Sequence, residues 1–290
     1  MRNYLLSLLI LFPALYGCKA SYSVGSVKET ISRICSQEYG VEVEVAEKGT
    51  TIGALIAMPN LLNNDLTISE KALKKIEHVM LTTSHVTLSS EFKYEFFVID
   101  ILDTTNGVQV SFIHYIKDIR RLIMDDISRG DYFQRMLIDV DKFKGWEKGK
   151  QIPAYTPKEY KLPDFLAAQI AKRIKSQFNI NLIIGRIFKM VGIEGQYIKN
   201  SNIFRLTIYI SNLVNSLEEV ASPEVRENFT KVLFRIVRKI TKRYEFNMFE
   251  GLEIVDGQGK RLAYFDKKTF TRDTMGNLLE IINSIQKKAH

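Results

Sequence analysis

A chain of 290 residues, 46% hydrophobic and 26% charged, has the composition of a folded protein, and its length suits two cores better than one. Beyond residue 18 no apolar run approaches the ~20 residues of a membrane-crossing helix, so no helix after the amino-terminal run is expected to cross a membrane. Forty-one basic against thirty-three acidic residues leave +8, which favours anionic partners, and two cysteines are too few for a disulfide framework.

At the amino terminus Arg2 precedes the apolar run Tyr4 to Leu15, the length of a signal-peptide core and too short to span a bilayer. The run closes on Leu15-Tyr16-Gly17-Cys18, which resembles the lipobox of a bacterial lipoprotein. That resemblance implies cleavage before Cys18, with Leu15 and the small Gly17 read by the peptidase and the Cys18 sulfur carrying the lipid. Tyr16 stands where the family usually has a smaller residue. The alternatives are an ordinary signal peptide cut after Ala20, which would discard Cys18, and an uncleaved anchor. Lipidation of Cys18 would leave Cys35 as a lone thiol, and its position four residues after Ile31 places it on an apolar helix face. Lys19 follows Cys18 in place of the aspartate that favours inner-membrane retention in some lipoproteins. The resemblance therefore implies the periplasmic face of the outer membrane in a two-membrane envelope. Nucleic acid is not an expected partner there; anionic lipid or glycolipid and other envelope proteins are.

The expected organisation is a signal peptide (1–17), a tether (18–25), a first domain (26–141), a linker (142–162) and a second domain (163–290). In the first domain, Ser26 opens a helix that ends near Gly40. Two strands are expected at Val41 to Val45 and at Ile52 to Met58. Thr67-Ile68-Ser69-Glu70 starts a helix that carries Leu73, Ile76, Met80 and Thr83 on one face. Asn106-Gly107 joins a hairpin of Tyr94 to Leu102 and Val108 to Tyr115, and a helix runs from Asp118 to Val140 with a break at Gly130. Lysines and three of the six prolines then mark the linker. The second domain is expected to repeat the order: a helix from Asp164 to Gln177, strands at Asn181 to Phe188 and around Phe204 to Ile210, and a helix from Pro223 to Arg243. A hairpin turning at Asp256 to Gly259 and a closing helix on Met275, Leu278, Leu279, Ile282 and Ile285 complete it.

Residues match as well as order. Tyr94-Glu95-Phe96 returns as Tyr244-Glu245-Phe246 and Gly107 as Gly257, each 150 positions on, while Arg33-Ile34-Cys35-Ser36-Gln37 parallels Arg173-Ile174-Lys175-Ser176-Gln177 at 140. The expected fold is α+β, built as an internal duplication: two tandem similar units of helix, two strands, helix, β-hairpin and helix, with mainly antiparallel sheets. The order resembles that of pilotin-like and secretion-chaperone binding modules, an analogy of fold alone.

Chemistry-bearing motifs are scarce. There is no nucleophile elbow, phosphate loop or dinucleotide fingerprint, and neither a cofactor nor a metal site is expected. His78 and His85 lie two helical turns apart, ~10 Å, too far to share a metal without a third element. The most directional feature is the helix from Pro223, with Phe229, Val232, Leu233, Ile236, Val237 and Ile240 on one face. Lys231, Arg235, Arg238, Lys239, Lys242 and Arg243 crowd the other, a candidate contact for anionic surfaces. The leading expectation is a membrane-anchored envelope lipoprotein that acts as a non-enzymatic binding, adaptor or scaffold protein. The alternatives are a lipoprotein hydrolase of cell wall or glycolipid, with unlinked carboxylates such as Asp100, Asp139 or Asp141 as acid and base, and a lipid carrier.

Overall fold

The computed structural model describes residues 22–63, 67–180, 190–210 and 223–271. The chain divides into two compact units, the first ending at Tyr160 and the second beginning at Lys161. Seven α-helices and two mixed sheets make up the described residues.

In the first unit, helix α1 (Val27–Tyr39) buries Val27, Ile31 and Cys35. It stops at Gly40, whose φ of 61° suits glycine and whose N–H donates to the carbonyls of Cys35 and Ser36. Strands β1 (Glu44–Lys48) and β2 (Thr51–Met58) form a hairpin. Helix α2 (Glu70–Leu88) is capped by Ser69, whose hydroxyl accepts from the Ala72 N–H at 3.3 Å. Its buried face is Ala72, Ile76, Val79, Thr83 and Val86; Leu73, expected on that face, is 44% exposed.

Strands β3 (Phe96–Asp103) and β4 (Val108–Tyr115) form the hairpin expected around Gly107, whose φ is 75°. The sheet order is β1-β2-β3-β4-β5. The expectation of a mainly antiparallel sheet needs correcting at its centre, where β2 and β3 run parallel, Ile52 opposite Phe97 and Leu55 opposite Asp100. A crossover helix between neighbouring strands returns the chain to the end where it began, so the second strand must run parallel to the first. That helix is α2.

The helix expected from Asp118 to Val140 is three elements. Helix α3 (Ile116–Ile123) ends before Asp125, at φ 56°; helix α4 (Arg129–Arg135) starts under a Ser128 cap; and β5 (Leu137–Lys142) pairs antiparallel with β4. Strand β5 is an edge. Asp139 and Asp141 each accept a hydrogen bond from the next residue's N–H, at 3.1 and 2.7 Å, and these charged caps discourage a further strand.

One face of this sheet, with Ile52, Ala54, Ile56, Phe97, Ile99 and Ile101, packs against α1 and α2 as the main core. Each such buried side chain contributes ~1.5–3 kcal/mol. The opposite face is covered by residues 143–160, an irregular strap in which Phe143, Trp146, Ile152 and Tyr155 pack with Leu55 and Leu102. The Trp146 ring occupies the place a Cβ on Gly107 would need, and the Tyr155 hydroxyl does the same at Gly53.

The second unit begins with α5 (Leu162–Ile180), followed by β6 (Met190–Ile198), β7 (Ile203–Ile210), α6 (Pro223–Arg243), β8 (Gly251–Asp256), β9 (Arg261–Asp266) and α7 (Lys267–Thr271). The sheet order is β6-β7-β8-β9, with β7 and β8 parallel around α6 and the outer pairs antiparallel. Phe204, Leu206, Ile208, Leu252 and Ile254 are buried, as are Leu166, Ile170 and Ile174 of α5 and Leu233, Val237 and Ile240 of α6. At Gly195 a Cβ would fall 2.0 Å from the Ala167 carbonyl oxygen, so glycine permits α5 to lie directly on β6. Strand β6 was not anticipated. The strand expected at Asn181 to Phe188 and the closing helix on Met275 to Ile285 lie outside the described residues, as do Leu15, Gly17 and Cys18. Among the described residues no helix is long and apolar enough to cross a membrane.

Candidate functional site

Helix α6 sorts its residues by face. Leu233, Val237 and Ile240 are buried, while Arg235, Arg238, Lys239 and Lys242 are exposed and Lys231 and Arg243 half-buried. Thr241 turns its hydroxyl back to the Val237 carbonyl at 2.9 Å, so a polar side chain is accommodated on the inner face. The basic side chains thus stand on a helix fixed by its apolar side, an arrangement suited to long-range attraction of anions.

The three aspartates considered for hydrolysis come near one another only in part. Asp100 on β3 and Asp139 on β5 flank Ser111 of β4 in register, and Asp141 lies two residues further along the edge, opposite Gln109. Asp100 is 3% exposed. Its Oδ1 accepts from Gln109 Nε2 at 2.7 Å and from the Ser111 hydroxyl, and its Oδ2 accepts from the Tyr155 hydroxyl at 2.5 Å. Burial and the neighbouring Asp100 charge both raise the Tyr155 pKa, so this phenol remains a donor. Two further bonds hold the strap: the Tyr155 N–H donates to Glu44 Oε1 at 2.8 Å and the Tyr160 N–H to Thr51 Oγ1 at 2.9 Å. Asp100 therefore acts chemically as a fastening point, with both oxygens engaged beneath residues 143–160.

A second buried polar group lies on the helix side. His114 of β4 is 1% exposed, stacks on Phe97 with centroids 4.4 Å apart, and shares a 2.6 Å hydrogen bond through Nδ1 with the Tyr132 hydroxyl. Among the described residues its buried Nε2 has no hydrogen-bond partner, and burial lowers the imidazole pKa to about 3. Nearby on α4, Arg135 binds Asp118 of α3 at 2.8 Å, both 4% exposed, and Asp131 at 2.8 Å. The other two histidines in the unit make ring contacts. His78 stacks on Tyr39 at 4.2 Å and His85 meets Tyr22 edge-on at 6.5 Å. Among the described residues no group of three His, Cys, Asp or Glu side chains could hold a metal ion.

The second sheet carries a cluster that sequence reasoning missed. Glu253 of β8, 3% exposed, accepts from Arg205 Nε of β7 at 2.6 Å and from Arg261 Nε of β9 at 2.6 Å. Burial raises the Glu253 pKa, but the hydrogen bonds and charges of the two arginines outweigh it and hold the carboxyl below its ordinary value. The signal available was a charged residue between apolar neighbours in each strand: Arg205 between Phe204 and Leu206, and Glu253 between Leu252 and Ile254. Comparison with known proteins finds no matching family model, curated protein or solved structure.

Proposed function

We propose that this chain is a lipid-anchored envelope adaptor, held to its membrane by Cys18 and steadied against anionic headgroups by α6, with no catalytic step of its own. The observation that carries this is the exposed row Arg235, Arg238, Lys239 and Lys242 on a helix whose other side is buried, in a chain that begins with a lipobox-like sequence. Each such residue near an anionic surface contributes ~1 kcal/mol. A protein partner would meet Ile123, Met124, Phe133, Ile138 and Val140, all exposed on α3, α4 and β5 or beside them.

In the same proposal the two units are copies of one αββαββ module. Both sheets have a parallel pair flanked by antiparallel ones. In both, an aspartate closes the second hairpin by accepting the N–H two residues on, Asp103 from Thr105 and Asp256 from Gln258, each at 2.9 Å. Three residues before each of these lies a buried carboxylate, Asp100 and Glu253, so the strands align at a spacing of 153 and not at the 150 of the sequence matches, whose Tyr244-Glu245-Phe246 falls before β8 while Tyr94-Glu95-Phe96 leads into β3. Duplication supports an adaptor, because one module can diverge for each of two partners. The hydrolase alternative would need Asp100 free to exchange protons with a substrate, whereas three donors engage it.

The test has two arms. Labelling cells with a clickable fatty acid should mark the wild type and not Cys18→Ser. In flotation with phosphatidylglycerol vesicles, replacing Arg235, Arg238, Lys239 and Lys242 by Gln should weaken binding ~10²–10³-fold, from about 4 kcal/mol lost. Unlabelled wild type, or unchanged flotation, sinks the corresponding half of the proposal.

A further inference from the structure

The Arg205, Glu253 and Arg261 cluster lies on the face of the second sheet opposite the buried side chains Phe204, Leu206, Leu252 and Ile254: Arg205 and Glu253 by the alternation of their strands, and Arg261 because a register shift after Ile254 pairs it with Val255 instead of leaving it on the side of Ala263 and Phe265. Glu253 receives one guanidinium Nε on each oxygen, at 2.6 Å in both cases. The two Nε atoms are thus at most roughly 7 Å apart, allowing for the width of a carboxylate. Glu253 is 3% exposed, but the Arg205 and Arg261 side chains are 39% and 65% exposed. The carboxylate is therefore below the surface and the guanidiniums are at it.

Within the cluster itself one carboxylate faces two guanidiniums, +1 in sum, while Glu194 of β6, which hydrogen-bonds Tyr209, adds a carboxylate on the same face of the sheet. Among the described residues Glu253 is the acidic partner of both arginines. Each uses its Nε there, so the terminal N–H groups remain to be satisfied by solvent or a ligand. The surroundings are pre-set. The Arg261 guanidinium lies 5.7 Å from the Tyr264 ring centroid, and the Tyr264 ring fills the space a Cβ on Gly251 would take. The Tyr209 ring does the same at Gly257. In the first unit the corresponding carboxylate, Asp100, meets neutral donors and fastens a strap. Here the same position orients two forks whose planar donors match a tetrahedral oxyanion.

We infer that Arg205 and Arg261 form a receptor for a phosphate group, with Glu253 as the positioning residue that fixes both guanidiniums. A phosphate dianion inserted between them would accept from the terminal N–H groups of both and reverse the sign of the cluster's charge. The source is either a soluble phosphate ester or a lipid phosphomonoester. The site lies on the opposite side of the sheet from the core that α6 helps build, and it depends neither on the anchor nor on the α6 row.

The purified full chain is titrated calorimetrically with inorganic phosphate and with glycerol 3-phosphate. It is also floated with phosphatidylcholine vesicles with or without phosphatidic acid. Binding of the soluble anions at about 1 mM or tighter is expected, weakened at least tenfold in Arg261→Gln and in Arg205→Gln and unchanged in Lys71→Gln, an exposed lysine of α2 in the first unit. Thermal melts establish that the variants fold. Phosphatidic acid dependence lost in Arg261→Gln would assign the lipid source; binding of the soluble anions alone would assign a free ester. No phosphate binding by the wild type, or equal binding by folded Arg261→Gln, overturns the inference. So does an equal loss in Lys71→Gln, which would mean general attraction to positive charge. Failure here leaves the α6 flotation result standing, so the two are separable.

Discussion

Replacing Tyr155 by Phe removes one oxygen and leaves the ring, so it isolates the bond between the strap and the first sheet. In the wild type the phenol donates to Asp100 Oδ2 at 2.5 Å, with Asp100 3% exposed and Tyr155 6% exposed. Hydrogen bonds to charged groups are worth ~1.5–3 kcal/mol, and here the loss leaves a buried oxygen unsatisfied, so the upper part of that range applies. The Gln109 and Ser111 bonds to Oδ1 are untouched. Urea and thermal unfolding should show ~2–3 kcal/mol lost, or about 5–10 °C for a unit of this size. If the strap opens locally, trypsin should also cut at Lys148, Lys150 or Lys158, all exposed, ~10–100-fold faster. Combining Tyr155→Phe with Asp100→Asn closes a cycle in which the coupling should be at least ~1 kcal/mol. A change below ~0.5 kcal/mol with unaltered proteolysis would refute the fastening role of Asp100.

Other outcomes follow from the remaining buried polar groups. His114 has its pKa lowered to about 3 by burial, against 6.5 in an unfolded chain. Below ~6.5 the unfolded chain takes up a proton that the folded one refuses. Stability should therefore fall as pH drops from ~6.5 toward 3, by up to ~1.4 kcal/mol per unit, and His114→Gln should flatten that slope relative to wild type in urea titrations. Arg135→Met removes the 2.8 Å partner of Asp118, 4% exposed, and should cost ~3–5 kcal/mol. Adding Asp118→Asn should return part of that cost; additive losses would contradict the pairing. Burial raises the Cys35 thiol pKa to about 11. In Cys18→Ser protein it should react with a disulfide reagent at pH 8 only as fast as the first unit opens, a rate that denaturant increases.

The hairpin at Asn106-Gly107 was legible because its turn chemistry and alternation are local, and α6 because Pro223 and a two-sided pattern mark it. The parallel pair was missed although both strands and the helix between them were expected, because strand direction follows from the crossover connection and not from either strand. The run Ile138-Asp139-Val140-Asp141 alternates with period two, yet Ile138 and Val140 also extend the apolar spacing of the preceding residues, and a six-residue edge strand is too short for one period to prevail. In the strap, lysines and prolines dominate the composition while a few aromatic side chains make the contacts, so average polarity suggested a free connection. At the sites, the basic face of α6 could be read from spacing alone. Arg205, Glu253 and Arg261 could not, because strand register brings them together across residues distant in sequence.

The strap also sets an order of events during synthesis. When β5 leaves the ribosome, every strand of the first sheet exists, but the face bearing Leu55, Leu102 and Asp100 still lacks Tyr155 and Tyr160. At ~5–20 residues per second, residues 143–160 take about one to four seconds to follow. For that interval the nascent sheet presents a half-apolar surface around an incompletely bonded carboxylate. The first unit is complete only with the residues that immediately precede the second.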